Sequence, residues 1–537
     1  MFLISCVLTF GQIDLEHTYD NAFINRIDLE YSGEKYYEFK YTTNEVIMYN
    51  ADHTLWKTIV LSAPPPTIFT RTRLIHISEA KINPDTNLEI IYSCPGASGY
   101  ECKIVSEDGA IMATIVNANN IKLDSIPGLP IKLISDFYNG SYSSKVYSIP
   151  ELMLENIYEE GIVTRINLEN SGEKFYVLDN ANGNIILYNQ NHTLWKTIAL
   201  PKPAQAVYAD VGVVSESLIN PDTSLEIAYT YYVLAENVYT YTGKIINENN
   251  TELISIPGAK SIVVDVLEGA EVKLLAVIRN FSPSTSLGYL NSTNIYQLPS
   301  LVLEKEYESV MSRVKLENSG EKFYTSQNPL TNFVKIYNSN HTLWKSVFLD
   351  LAYDIGDVDL HVDFISESKI ASDPLIEMGY CYSYNSPLMY TELYGRVTNE
   401  NGLAYLDTSW PQSFLLSEIP NLPIKLIVLK NFSDPFENTP NYLTEVYTID
   451  AAMGTNGFQN NSTIQITPNP SDAVINFTTS SIIVEASLYN SLGTKVKDFK
   501  EFDLTTINVE NLPSGIYLLY LMDNNNQKSN HKIIISN

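Results

Sequence analysis

The sequence predicts an all-β protein: a propeller-like body built from three long repeats, followed by a small immunoglobulin-like β-sandwich. Three observations carry this. Four landmarks recur three times in one order. Between them run short stretches rich in β-branched and aromatic residues, split by Gly- and Asn-bearing turns. No convincing amphipathic helix occurs before residue 450.

The chain opens on a short apolar run, residues 1–11, ending in a small residue; it reads as the signal peptide of an exported protein. No later apolar stretch is long enough to predict a transmembrane helix. The 537 residues carry 34 Lys and Arg against 62 Asp and Glu, a net charge of −28. That field repels phosphate and anionic head groups and excludes nucleic acid as a partner. A hydrophobic content of 45 % excludes a disordered polyelectrolyte.

Residues 13–450 hold the repeats, at about 13–150, 151–300 and 301–450. The first landmark is a Ser-Gly-Glu-Lys turn at Ser32, Ser171 and Ser319, each following an arginine (Arg26, Arg165, Arg313). The second is His-Thr-Leu-Trp-Lys at His53, His192 and His341. The third is Ser-Glu leading to an Asp and a Glu: Ser78-Glu79 to Asp85 and Glu89, Ser215-Glu216 to Asp222 and Glu226, Ser366-Glu367 to Asp373 and Glu377. The fourth is Lys103-Ile104, Lys244-Ile245 and Arg396-Val397 before a turn. In the second repeat, strands are expected at 164–168, 174–178, 184–188 and 194–200, then 211–218, 225–232, 241–246 and 252–256, with a third group from 261 to 298. Each repeat thus reads as three four-stranded meanders. At roughly 40–50 residues per propeller blade the body holds about nine blades. The alternative is three separate β-sandwich domains.

Each candidate site in the sequence also has an ordinary structural role. Cys94 and Cys102 flank a Pro-Gly and Ser-Gly turn, so a disulfide across a hairpin is expected in an exported chain. Trp56, Trp195 and Trp344 suit wedges between sheets, with ligand contact as the alternative. The three histidines lack metal-ligand spacing and suit polar turns. The Asp and Glu of the third landmark admit a calcium reading, but an Asn-Pro-Asp-Thr β-turn accounts for them. No hydrolase, nucleotide or metalloprotease motif is present, so no catalytic residue, resident metal or other cofactor is expected.

Residues 451–463, rich in Gly, Asn and Ser, form a linker. Beyond it, 464–537 carries 7 acidic and 5 basic side chains, so the negative charge belongs to the body. This tail contains Pro468-Asn469-Pro470, Gly493, Leu512-Pro-Ser-Gly515-Ile-Tyr517 and a closing Lys532-Ile-Ile-Ile. The glycines are placed in turns, and Leu512 and Tyr517 in the core. These motifs resemble the type A C-terminal sorting domain of the type IX (Por) secretion system of Bacteroidetes. The resemblance implies passage through the periplasm, reading of the tail by the outer-membrane translocon, and delivery to the medium or the cell surface. The body's repeats resemble Ser-Gly-Glu-Lys-Tyr/Phe-Tyr and His-Thr/Ser-Leu-Trp-Lys repeats of uncharacterised flavobacterial proteins with such tails, which implies no activity. The expected function is non-catalytic binding or adhesion, with an extracellular glycan or protein as ligand. The alternative is an extracellular polysaccharide-degrading hydrolase or lyase.

Overall fold

The computed structural model describes residues 12–450 and 465–536, except 66, 68–69, 98, 237, 282–288, 328–331, 352–357, 372, 386–390, 434–439, 469–470, 472, 479–481, 491–494, 500–504 and 524–527. The signal peptide and the linker predicted from sequence lie outside the described residues. The chain divides into two units, Met1–Asp450 and Ala451–Asn537.

Within the first unit the described strands form nine four-stranded antiparallel blades. Blade 1 runs Asn25–Leu29, Gly33–Lys40, Glu45–Asn50 and Leu55–Val60. Blades 2 to 8 span 73–116, 120–158, 163–199, 207–257, 259–307, 310–348 and 358–409. Each is a meander in sequence order; blades 7 and 8 also share one bridge, Gln327 to His361. Tight turns make the meanders. The turn between the first two strands of blades 1, 4 and 7 ends on Gly33, Gly172 and Gly320, with φ of +68°, +70° and +70°, a conformation that costs glycine least.

Blade 9 departs from sequence order. Its first three strands come from the end of the body, Pro411–Ser417, Lys425–Ser433 and Pro440–Asp450. Its fourth is Gln12–Asp20, which pairs antiparallel with Pro440–Asp450 from Gln12 opposite Asp450 to Asp20 opposite Leu443, with one bulge between Leu15 and His17. The N-terminal strand therefore joins the two ends of the body.

Apolar side chains close the circle. Every neighbouring pair of blades shares a hydrophobic cluster, from blades 1 and 2 through blades 8 and 9. The ninth cluster joins blade 9 to blade 1 through Tyr19, Ala22, Ile24, Tyr36 and Val446. With a neighbour on each face, a blade's middle strands are buried on both sides, so the first six residues of Glu89–Pro95 are all buried rather than alternating. The first strands of blades 2 and 3, 5 and 6, 7 and 8, and 8 and 9 approach one another, which places the first strand of a blade on the inner side of the ring. Three isolated sandwiches would share no such chain of clusters, so the propeller-like reading holds.

The second unit is a two-sheet sandwich. One sheet holds Gln465–Thr467, Val474–Thr478 and Thr506–Asn508; the other orders Lys495–Phe499, Ile483–Asn490, Gly515–Asp523 and Lys528–Ile535. Ile475, Phe477, Leu488, Ile507, Leu519 and Ile533 fill the space between them, with Tyr517 buried and Leu512 packed against its edge. Pro468 follows the first strand, and Lys532 lies in the last, opposite Leu518. Asn469, Pro470 and Gly493 lie outside the described residues. Gly515 corrects the sequence reading: it opens a strand opposite Ile535 rather than sitting in a turn, and its nearest would-be Cβ neighbour, at 3.7 Å, is an ordinary contact.

If the N-terminal strand closes the ring, Tyr19→Ala, which empties the closing cluster, should destabilise the body by about 3–5 kcal/mol. Deleting residues 12–20 should lower the melting transition further and expose a strand edge that associates. Thermal melting by circular dichroism and size-exclusion chromatography check both; an unchanged melt would show that the ring is held elsewhere.

Candidate functional site

The repeated residues sit at the seams between blades. The arginine before each Ser-Gly turn is buried and faces two blades at once. Arg165 Nε bonds Glu173 on its own sheet at 2.7 Å, while Nη1 and Nη2 reach the Asp124 and Pro130 carbonyls of blade 3 at 3.2 and 2.7 Å. Arg26 repeats this across the closing junction, to Glu34 at 2.7 Å and to the Ser417 and Pro423 carbonyls of blade 9 at 2.9 and 2.8 Å. Arg313 bonds Glu321 and the Asp265 and Glu271 carbonyls. A guanidinium suits this role because its fixed fork of donors serves several acceptors without losing charge.

The histidines act at the same junctions. Each occupies a left-handed turn position, φ +63° in all three. Nδ1 of His53, His192 and His341 lies 2.7, 2.7 and 3.0 Å from the hydroxyls of Tyr19, Tyr158 and Tyr307, all on the last strand of the preceding blade. Nε2 of His192 and His341 faces Glu155 and Glu304 of that strand at 3.3 Å, and His53 lies 3.5 Å from Glu16. Burial lowers the pKa of His53 and His192 despite the glutamates. These imidazoles fasten one repeat to the next.

Within each repeat the third landmark joins its first two blades. Glu216 accepts the Asn170 and Ser171 amides at 2.8 Å each and the Ser171 hydroxyl, and its own amide donates to Glu169 at 2.8 Å. Glu79 and Glu367 repeat the exchange with Ser32 and Ser319. Burial pushes the Glu79 and Glu216 carboxyls up, but these donors outweigh it and leave both below the usual range. Asp85, Asp222 and Asp373 bond amides two residues ahead within their turns, at 2.8, 2.7 and 3.0 Å. The strand-borne Glu89, Glu226 and Glu377 are fully buried. Burial, then the nearby Asp85 or Asp222, pushes Glu89 and Glu226 up to about 8.

The tryptophans are wedges. Trp56, Trp195 and Trp344 are half-buried against the clusters joining blades 1–2, 4–5 and 7–8. Two ammonium groups lie over each ring, at 4.9 and 4.5 Å for Trp56, 4.9 and 4.7 Å for Trp195, and 4.7 and 4.6 Å for Trp344. Of each pair, the following lysine (Lys57, Lys196, Lys345) reaches a glutamate of the next blade. The rings thus pack between sheets, beneath lysines.

The predicted disulfide is corrected. Register sets Cys94 opposite Glu101 and Cys102 opposite Ser93, so the two thiols point to opposite faces of the sheet. Cys94 joins the cluster toward blade 1 and Cys102 the cluster toward blade 3. Both are free and buried.

The meander sorts the blade connections onto two ends. The Ser-Gly turns, the histidine turns and the Ser-Glu loops are all first-to-second or third-to-fourth connections, at one end. The opposite end, with the second-to-third hairpins and the links between blades, carries tyrosines. Tyr138 and Tyr142 flank the blade 3 hairpin, 55 % and 54 % exposed, with ring centroids 4.8 Å apart. On the blade 5 hairpin Tyr232 lies 5.4 Å from exposed Tyr239 and 5.6 Å from Tyr241. On blade 8 Tyr394 stacks at 5.4 Å on Tyr382, which is buried in the cluster joining blades 7 and 8, and Phe23 meets Tyr442 at 4.1 Å. This end is not copied three times: where Tyr232 stands, the other repeats have Pro95 and Ser383, and where Tyr142 and Tyr442 stand, the second repeat has Asn291. Sequence reading missed it, because its only signal is tyrosine count and hairpin position.

Residues 465–536 match the family described as the secretion system C-terminal sorting domain. No curated protein matches the chain. Among solved structures, the Dos1 propeller is 9 % identical, covering 81 % of this chain and 95 % of its own, at TM-score 0.37. Prolyl oligopeptidase B from Galerina marginata is 9 % identical, covering 68 % and 55 %, at 0.32. The V. cholerae biofilm matrix protein Bap1 is 12 % identical, covering 80 % and 76 %, at 0.25. The fold assignment rests on strand order and ring closure. The sorting tail marks the protein for the type IX secretion machinery and for export to the cell surface or the medium, and among the described residues no helix is long and apolar enough to cross a membrane.

Two outcomes follow from these residues. Glu226 holds its proton more tightly folded than unfolded, so its contribution is complete below the unfolded carboxyl pKa and is lost as pH rises to about 8. Glu226→Gln should therefore gain stability over wild type between pH 5 and 8, as read by urea melts across that range; a constant difference would refute the buried-acid reading. Removing residues 465–536 should leave a folded body retained in the periplasm, read by cell fractionation.

Proposed function

We propose that the protein is an exported, non-catalytic binding or adhesion protein whose tyrosine-bearing end contacts an extracellular glycan. One observation supports this above others: the thrice-copied arginines, histidines, tryptophans and Ser-Glu glutamates are engaged between blades, while exposed aromatic rings that are not copied three times gather at the opposite end of the blades. Sugar rings present flat C–H faces that stack on aromatics, and tyrosine hydroxyls add hydrogen bonds at the edge. A net charge of −28 favours neutral or cationic ligands over acidic polysaccharides.

The test is a panel of neutral polysaccharides against the purified protein. Binding without turnover is expected. Tyr138→Ala, Tyr142→Ala and Tyr239→Ala should each weaken it by about two- to tenfold. Undiminished binding by the triple variant would remove the tyrosine end as the site. Turnover of a polysaccharide would point instead to a hydrolase or lyase.

A further inference from the structure

One cluster belongs to neither the fasteners nor the tyrosine end. His361, Asp363 and Cys381 are the one His/Cys/Asp/Glu group among the described residues whose donor atoms all lie within 4.8 Å of one another. The backbone builds it. His361, on the innermost strand of blade 8, is the register partner of Cys381 on the next strand, so both point to one face. Asp363 lies at a bulge between Val362 and Phe364, a feature that re-aims a side chain. Its Oδ1 stands 3.4 Å from His361 Nε2 and its Oδ2 3.4 Å from Cys381 Sγ. Bond lengths to zinc give tetrahedron edges of about 3.4 Å for nitrogen to oxygen and about 3.6 Å for sulfur to oxygen; the two contacts here run to different carboxylate oxygens, so one oxygen of Asp363 must turn to serve both edges.

The repeats supply an internal control. Counting from the Ser-Glu landmark, the same three positions hold Arg73, Ile75 and Ser93 in the first repeat, and Asp210, Gly212 and Thr230 in the second. Ring architecture therefore does not require this trio, yet all three positions carry ligand-type side chains together in one copy. The surroundings suit a metal as well. The Phe414 amide of blade 9 donates to Asp363 Oδ2 at 2.9 Å and fixes the carboxylate, as outer partners of metal ligands do. Cys381 is buried, while the His361 side chain is 43 % exposed and opens the cluster to solvent.

We propose that His361, Asp363 and Cys381 form a binding site for a zinc-type divalent cation between blades 8 and 9. Binding releases the Cys381 thiol proton to solvent; thiolate, carboxylate and imidazole supply three donors, and water completes the tetrahedron. The ion bonds two strands of blade 8, and Asp363 couples it to blade 9.

Cobalt(II) titration of the dialysed full chain tests this. One equivalent should bind and produce a thiolate-to-cobalt charge-transfer band in the near ultraviolet, which one equivalent of zinc then removes. Cys381→Ser should abolish the band. His361→Ala, at a half-exposed position, should weaken binding at least about tenfold while leaving the melting temperature of the metal-free protein unchanged; it carries the test should Cys381→Ser fail to fold. No band in the wild type, a band that survives Cys381→Ser, or undiminished binding by His361→Ala would overturn the proposal.

Discussion

The pairing of Gln12–Asp20 with Pro440–Asp450 is the constraint on which the body depends. A four-stranded blade leaves two faces to bury, and a row of blades leaves two terminal faces open. Joining first and last strands in one sheet removes both. The same strand carries Tyr19 and Glu16, which meet His53 of blade 1 as Tyr158 and Glu155 meet His192. The closing junction is thus built from the same parts as the internal ones, and nine blades need no separate closing device.

Those parts are polar for a reason visible in the clusters. Among the described residues, the junctions between repeats have the smallest buried apolar sets, six residues between blades 3 and 4 and five each between 6 and 7 and between 9 and 1. The junctions inside repeats hold seven to twelve. Where apolar area is short, Arg26, Arg165 and Arg313 and the three His–Tyr pairs supply directional bonds instead. A buried ion pair is poor at adding net stability because desolvation offsets its attraction. It is effective at penalising a wrong register, since a shifted Arg165 would be left buried without Glu173 or its carbonyls.

Much of this architecture was legible in the sequence. The triple repeat and the strand periods yielded three meanders per repeat and about nine blades, and the tail motifs announced export. What escaped was non-local or depended on register. No local pattern says that residues 12–20 complete the last blade, because their partners lie more than 400 residues away. A turn between Cys94 and Cys102 suggested a bridge, but facing partners must be equidistant from the turn, and a one-residue offset sends the thiols to opposite faces. Gly515 looked like a turn glycine from its neighbours Pro513 and Ser514, yet it begins a strand. The trio at His361 was invisible because cross-strand pairing, not spacing, assembles it.

Repetition also separates structural from functional candidates without any second protein. A side chain present in all three copies is bound by what the copies share, namely blades that must meet at fixed angles. The histidines, the tryptophans and Glu79, Glu216 and Glu367 satisfy that demand with partners on a neighbouring blade, while Asp85, Asp222 and Asp373 bond within their own turns. A ligand imposes no such threefold demand on a ring with one tail and one closing strand. Positions where the three copies differ, such as Tyr232 against Pro95 and Ser383, or His361 against Arg73 and Asp210, are where the ring can carry chemistry that its own assembly does not need.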